Sequence, residues 1–380
     1  MKIVIASDSF KGSMTAIEAT EAITRGAALA CPQASIKKLA LSDGGEGLVD
    51  CLVFATGGQK LDEKVTGPLG TPVLASWGLL GDGKTAVIEM AAASGLLLIP
   101  EGARNPSITT TYGTGELIKA ALDRGCKKII LGLGGSATND GGSGIARALG
   151  VKLLNSRNED LPHGGSALLE LDHLETAGLD DRLSEVEILV ACDVDNPLTG
   201  ERGASYVFGP QKGASKRMAE ELDRALQQYA RVIRHDLGID VEDLPGAGAA
   251  GGVGAGVVAF LGGKLTSGID LVIELIGLEE ELQDCTLVIT GEGKLDQQTL
   301  HGKAPLGVAK VTKKYQVPLV VLAGSTGERL KNLHAAGVTS YFSIITEPMT
   351  LNQAMLRGKE LLSSAAEQLV RLFVTALERE

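Results

Sequence analysis

The chain has 380 residues, 44% hydrophobic and 22% charged, which predicts two globular domains with real cores and excludes disorder as a main feature. Its formal net charge is −11, and no basic block of five or more residues occurs, the wrong sign for a protein that grips a nucleic-acid backbone. Aromatic residues are only 3%, too few for base stacking along a single strand.

Lys2–Ala6 reads as a buried strand. Thr15 and Glu18 form a T-x-x-E capping box, and Ala16, Ala19, Ile23 and Ala27 give the following helix an apolar face. Ile36–Leu41 predicts a second strand. Val65–Met90 predicts antiparallel strands with turns at Gly67-Pro68 and Asp82-Gly83. Thr114–Leu122 reads as a helix, Lys128–Leu133 and Glu187–Ala191 as strands, and Gly213–His235 as a long helix. Pro245–Gly263 is uncharged, but eight of its residues are Gly and five are Ala, so it predicts a glycine loop and a short buried helix, not a membrane span. Thr286–Ile289, Leu319–Ala323 and Tyr341–Ile345 are further strands, with helices over Pro305–Lys314 and Leu330–Ala336. A second capping box, Thr350 with Gln353, opens one long last helix bearing Leu351, Met355, Leu362, Ala365, Leu369 and Leu372.

Strand–helix alternation at both ends predicts an α/β fold: a Rossmann-like parallel-sheet domain formed by residues 1–59 and 269–380. Residues 60–268 are then an inserted second α/β domain containing antiparallel strands. The five cysteines include no C-x-x-C pair and predict reduced thiols. The chain opens directly on a strand pattern, which predicts a cytoplasmic protein with no membrane partner, a monomer or a homodimer.

Two familiar motifs occur in the wrong context. Gly78–Thr85 matches the Walker A pattern, but Ala86–Met90 after it reads as a strand, and Asp82-Gly83 is a hairpin signal. Gly246, Gly248 and Gly251 satisfy G-x-G-x-x-G, yet an acidic stretch precedes them instead of a buried first strand. No zinc spacing and no G-x-S-x-G elbow are present, and His301 is expected to be structural.

The informative pattern is a set of loops, each after a predicted strand: Ser7–Ser13, Ser42–Gly47, Gly132–Gly142, Cys192–Pro197 and Thr290–Asp296. Ligands of open α/β sheets bind outside the carboxyl ends of strands. Glycines let bare N–H groups approach a phosphate, and carboxylates beside them suit Mg²⁺. One Asp-Gly-Gly alone is usually just a turn; five such loops point to handling of a phosphate and a metal ion.

The same segments resemble the glycerate kinase family across essentially the whole chain. The resemblance rests on Asp8–Ser13, Asp43–Gly47, Gly132–Gly142, Cys192–Pro197, Phe208–Gly213 and Thr290–Asp296. It implies phosphorylation of D-glycerate by ATP with Mg²⁺, giving 2-phosphoglycerate or 3-phosphoglycerate. On that reading, loop chemistry suggests roles. Asp8, Ser9, Lys11, Glu46 and Lys294 would bind substrate, with Lys11 on its carboxylate. Gly134, Gly135, Ser136, Thr138, Asn139 and Lys212 would bind nucleotide phosphates. Asp193, Asp195 and Asp296 are expected around Mg²⁺. Asp43 is expected to orient or deprotonate the reacting hydroxyl, with Asp193 as the second choice and Lys11 assisting. A kinase of another small hydroxy acid or sugar, or a non-catalytic sensor of an anionic metabolite, are the alternatives. A sensor has no need for so many carboxylates beside phosphate loops.

Overall fold

A computed structural model describes residues 1–296, 304–328, 330 and 332–378, so His301 lies outside the described residues. In chain order the strands are β1 (Lys2–Ser7), β2 (Ser35–Ala40), β3 (Gln59–Thr66), β4 (Pro72–Leu79), β5 (Thr85–Glu89), β6 (Lys128–Gly132), β7 (Lys152–Leu154), β8 (His173–Glu175), β9 (Glu187–Ala191), β10 (Lys264–Thr266), β11 (Leu287–Leu295), β12 (Leu319–Thr326) and β13 (Ser340–Ser343). The chain divides into two compact units. One comprises Met1–Asp43, Asp50–Gly57 and Ile269–Glu380; the other comprises Gly44–Val49 and Gly58–Gly268.

The first unit is a five-stranded parallel sheet in the order β13-β12-β11-β1-β2. Counted by position along this unit, that is the 2-1-3-4-5 order of a doubly wound fold, whose switch point lies between β1 and β11. Ile3, Ile5, Leu287, Ile289 and Leu322 fill one core with Ile23, Leu362 and Val370 from two helices. Those helices, Ala16–Ala30 and Gly358–Leu377, cross so closely that a Cβ on Gly26 would stand 2.0 Å from the Ser363 carbonyl. The Thr15 capping box forms as the sequence predicts: Glu18 N donates to Thr15 Oγ1 at 3.2 Å, and Thr15 N donates to Glu18 Oε2 at 3.0 Å.

Two expectations are corrected in this unit. The last helix is two helices, Leu351–Leu356 and Gly358–Leu377, broken at Arg357. Ser13 Oγ donates to the Met355 carbonyl at 2.7 Å, and a Cβ on Gly358 would lie 2.4 Å from that same hydroxyl, so the Ser7–Ser13 loop wedges at the break. Leu351 and Leu372, assigned to the apolar face, are 73% and 69% exposed; Leu361, Leu362, Ala366 and Val370 are the buried stripe. Strand β11 also runs to Leu295, through what reads as a loop after Ile289, because its pairing with β12 continues to Leu295 opposite Thr326.

The second unit is a six-stranded mixed sheet, β10-β9-β6-β5-β4-β3, parallel from β10 to β5 and antiparallel from there to β3. A two-stranded antiparallel ribbon, β7-β8, was not foreseen. Trp77, Ile88, Leu131, Leu226, Tyr229 and Val253 are among its fully buried core residues. The Walker-like segment is the β4-β5 hairpin. Asp82 Oδ1 accepts from the backbone N–H of Lys84 and Thr85, both at 2.9 Å, and Oδ2 from the Thr85 hydroxyl at 2.6 Å. All five cysteines are free thiols. No helix among the described residues is long and apolar enough to cross a membrane.

Candidate active site

In the first unit, the switch point gathers carboxylates. The loop after β1 starts with Asp8, whose N–H donates to the Gly291 carbonyl of β11 at 3.0 Å. Gly291 and Gly293 permit this approach: a Cβ on Gly291 would lie 3.0 Å from Ser7 Oγ, and one on Gly293 would lie 3.3 Å from Lys11 N. Ser9 N donates to Asp8 Oδ1 at 2.6 Å. Burial first, then the charge of Asp43 and more weakly that of Glu292, push the Asp8 carboxyl up to about 7, against the Ser9 N–H bond. Asp8, Asp43 and the buried Glu292 thus share one field. Lys11 is exposed at the tip of a tight turn closed by Phe10 N to Met14 O at 2.9 Å and Met14 N to Phe10 O at 3.0 Å, with Gly12 at φ +78°.

In the second unit, the Gly132–Gly142 loop follows β6. Gly134 and Gly135 are exposed, while Ser136 through Asp140 are buried. Lys212 is only 1% exposed, and its Nζ donates to Ser136 Oγ and to the Thr138 carbonyl, both at 2.7 Å. Burial lowers the Lys212 ammonium to about 7, opposed by the charge of Asp140. Thr138 and Asn139 lie inside the fold and not on its surface. Asn139 Nδ2 donates to Ser205 Oγ at 3.0 Å, and both Thr138 Oγ1 and Asn139 Oδ1 are buried with no hydrogen-bond partner.

Asp140, which sequence reasoning did not single out, is the frame of this loop. Its carboxylate accepts from Thr111 N at 2.8 Å, Thr111 Oγ1 at 2.9 Å, Gly142 N at 3.2 Å and Gly144 N at 3.3 Å. Burial raises its pKa, and these four donors work against that rise. Of the G-x-G-x-x-G glycines, Gly251 packs against the same loop, whereas Gly246 and Gly248 pack against Cys192 and Pro197. Gly141 N donates to the Gly251 carbonyl at 3.0 Å, and a Cβ on Gly251 would sit 2.0 Å from the Thr138 carbonyl. Ala250, Gly251 and Gly252 all have left-handed backbone, so the regular helix begins only after them. These glycines serve close backbone packing.

The Ser42–Gly47 loop threads through the strand ends of this second unit from Gly44 onward. A Cβ on Gly44 would stand 2.8 Å from Ala191 Cβ, and one on Gly134 would stand 3.0 Å from Gly45 Cα. Glu46 is exposed next to this contact. Of the carboxylates expected around Mg²⁺, Asp193 is exposed after β9, and its Oδ1 accepts from Gly268 N at 2.9 Å. Asp195 is exposed, and Arg202 holds both its oxygens at 2.9 and 3.0 Å. Asp296 pairs with the exposed Lys294 at 3.2 Å. Among the described residues no group of three or more His, Cys, Asp or Glu is placed to hold a metal ion.

Comparison with known proteins gives one consistent result. A model of the glycerate kinase family matches residues 3–374. The chain is 52% identical over 354 residues to the glycerate 2-kinase of Escherichia coli (strain K12), covering 93% of each. It is 50% identical over 369 residues to a glycerate kinase of Bacillus subtilis (strain 168), covering 97% of each. A crystal structure of a chain assigned as glycerate kinase 2 from Salmonella typhimurium LT2 superposes with a TM-score of 0.92 at 49% identity, covering 100% of this chain and 99% of that one.

Proposed function

The chain belongs to the glycerate kinase family, and from that premise we propose that it transfers the γ-phosphoryl group of ATP to the 2-hydroxyl of D-glycerate, giving 2-phosphoglycerate. The observation that carries this reading is the Lys212-clamped loop, which presents the exposed Gly134-Gly135 backbone at the end of β6. Phosphoryl transfer asks mainly for positioning and charge neutralisation, and bare N–H groups on a stiff loop supply both. Gly134, Gly135 and Ser136 bind phosphate oxygens. Thr138, Asn139 and Lys212 act from beneath, by fixing the loop.

Glycerate is held by the loops of the first unit. Lys11 meets its carboxylate, and Ser9 and Asp8 meet its hydroxyls. The Asp43 carboxylate takes the hydroxyl proton as the oxygen attacks the γ-phosphorus and the bridging oxygen leaves with ADP. Asp8, whose acid form persists to about pH 7, stands beside it as a hydrogen-bonding partner. Mg²⁺ would neutralise phosphate charge, and Asp193 is the carboxylate that would hold it. The preference for the 2-hydroxyl is supported by the glycerate 2-kinase name of the E. coli relative.

Incubation with Mg-ATP and a panel of small hydroxy acids and sugars, read by ADP release and phosphorus NMR of the product, tests this. Turnover with glycerate and a 2-phosphoglycerate signal is expected. A 3-phosphoglycerate signal overturns the regiochemistry alone. Turnover only with another acceptor overturns the substrate, and no turnover with any acceptor leaves a sensor.

A further inference from the structure

The segment between Ser94 and Thr109 begins and ends on the glycine loop. Ala137 N donates to the Ser94 carbonyl at 2.9 Å, and Leu96 N to the Gly135 carbonyl at 2.8 Å. At its far end, Thr109 Oγ1 donates to the Ala137 carbonyl at 2.9 Å. Between these anchors the chain makes two short turns, Leu96–Leu98 and Glu101–Ala103, and Arg104 caps the second. Arg104 is backed onto Gly213, where φ is +95° and a Cβ would lie 2.5 Å from the Arg104 carbonyl and 3.0 Å from its Cβ. The residue before Gly213 is Lys212, whose Nζ holds Ser136 and Thr138. The segment that carries Arg104 is therefore anchored on the glycine loop at both ends, and Arg104 itself packs on the residue after Lys212.

Its side chain is left unsatisfied. Arg104 is half-buried, its Nε is buried without an acceptor, and among the described residues no carboxylate pairs with its guanidinium. Arg182, Arg202 and Arg357, by contrast, each hold carboxylates. A guanidinium stays charged at any pH the protein meets, and a buried donor without an acceptor is costly. Its planar fork matches phosphate oxygens two at a time.

We propose that Arg104 is a binding residue for the nucleotide's phosphates, completing with its guanidinium the anion site that the glycine loop begins. This assignment rests on the phosphoryl-transfer reading above. It adds a cation to a loop whose lysine is already committed to holding Ser136 and Thr138.

The test is calorimetric titration of ADP and, separately, adenosine into wild type, Arg104→Gln and Arg104→Lys. For Arg104→Gln, ADP affinity should weaken about tenfold to a hundredfold, the worth of charge-assisted hydrogen bonds, while adenosine affinity holds. Arg104→Lys should fall between, because it restores the charge but not the fork. It also serves should the glutamine variant fail to fold. Unchanged ADP affinity overturns the proposal. Equal weakening of ADP and adenosine overturns it too, since that marks a structural role. A wild type that binds neither ligand removes the phosphoryl-transfer reading itself, and this proposal with it.

Discussion

The two units bury titratable groups with opposite effect. In the first, Asp8, Asp43 and Glu292 share one field at a sheet's switch point, and the Asp8 carboxyl is driven up to about 7. In the second, a loop with Gly134 and Gly135 exposed is held by a buried ammonium driven down to about 7. Burial is the leading cause in both, so one physical effect brings an acid and a base to the same range from opposite sides. Crowded carboxylates suit the management of a hydroxyl proton, whereas fixed donors suit phosphate oxygens that never need to be protonated.

The sharpest way to break that division is Asp43→Asn. If the first unit's carboxylates manage the proton, kcat should fall about 10²–10⁴-fold with little change in the KM for Mg-ATP. A loss under tenfold would take the proton-accepting role away from Asp43. On the other side, Lys212→Met should raise the KM for Mg-ATP about tenfold by loosening Ser136 and the Thr138 carbonyl, and should leave the KM for glycerate alone. A change confined to glycerate would move the loop to the other substrate.

Smaller effects lie in stability against pH. The folded pKa of Asp8 is raised from 3.8 to about 7, so its contribution is fully present below pH 3.8 and lost as pH rises through 7. Asp8→Asn should therefore stabilise the protein above pH 7, by on the order of 1–2 kcal/mol once partial contact with water is allowed for. That gain should vanish toward pH 4 in urea titrations. Lys212 is lowered from 10.5 to about 7, so its contribution is present above pH 10.5 and lost as pH falls through 7. The stability difference between wild type and Lys212→Met should then move against wild type as pH falls from 9 to 6. Parallel pH responses of the two variants would erase the contrast drawn here. The least effect belongs to Lys84→Ala, on the β4-β5 turn: kcat/KM should stay within about twofold, and a severe loss with intact folding would return the Walker-like segment to the site.

Much of the architecture was legible because it is local. Capping boxes at Thr15 and Thr350 form as spelled, and the Asp82-Gly83 turn outweighs the longer Walker match. What could not be read depends on distant partners. Nothing near Thr290 announces that β12 will carry β11 on to Leu295, and nothing near Arg357 announces that Ser13 will take the Met355 carbonyl. Asp140 and Arg104 look like ordinary loop residues until their surroundings are known. One is encircled by four donors, and the other is left without an acceptor. Asp195 is a further case, a carboxylate whose partner Arg202 is seven residues along the chain.

The interlock of Gly251 with the Thr138 carbonyl, together with the Asp140 frame, has a consequence for how binding is driven. A flexible glycine-rich segment would have to surrender many backbone states when a ligand arrives. Here Gly141, Gly142 and Gly144 are pinned through their own N–H groups beforehand, so that entropy is lost during folding and not during each encounter. Nucleotide association should accordingly carry only a small ordering penalty from this loop, and its amides should exchange with deuterium slowly even in the apoprotein.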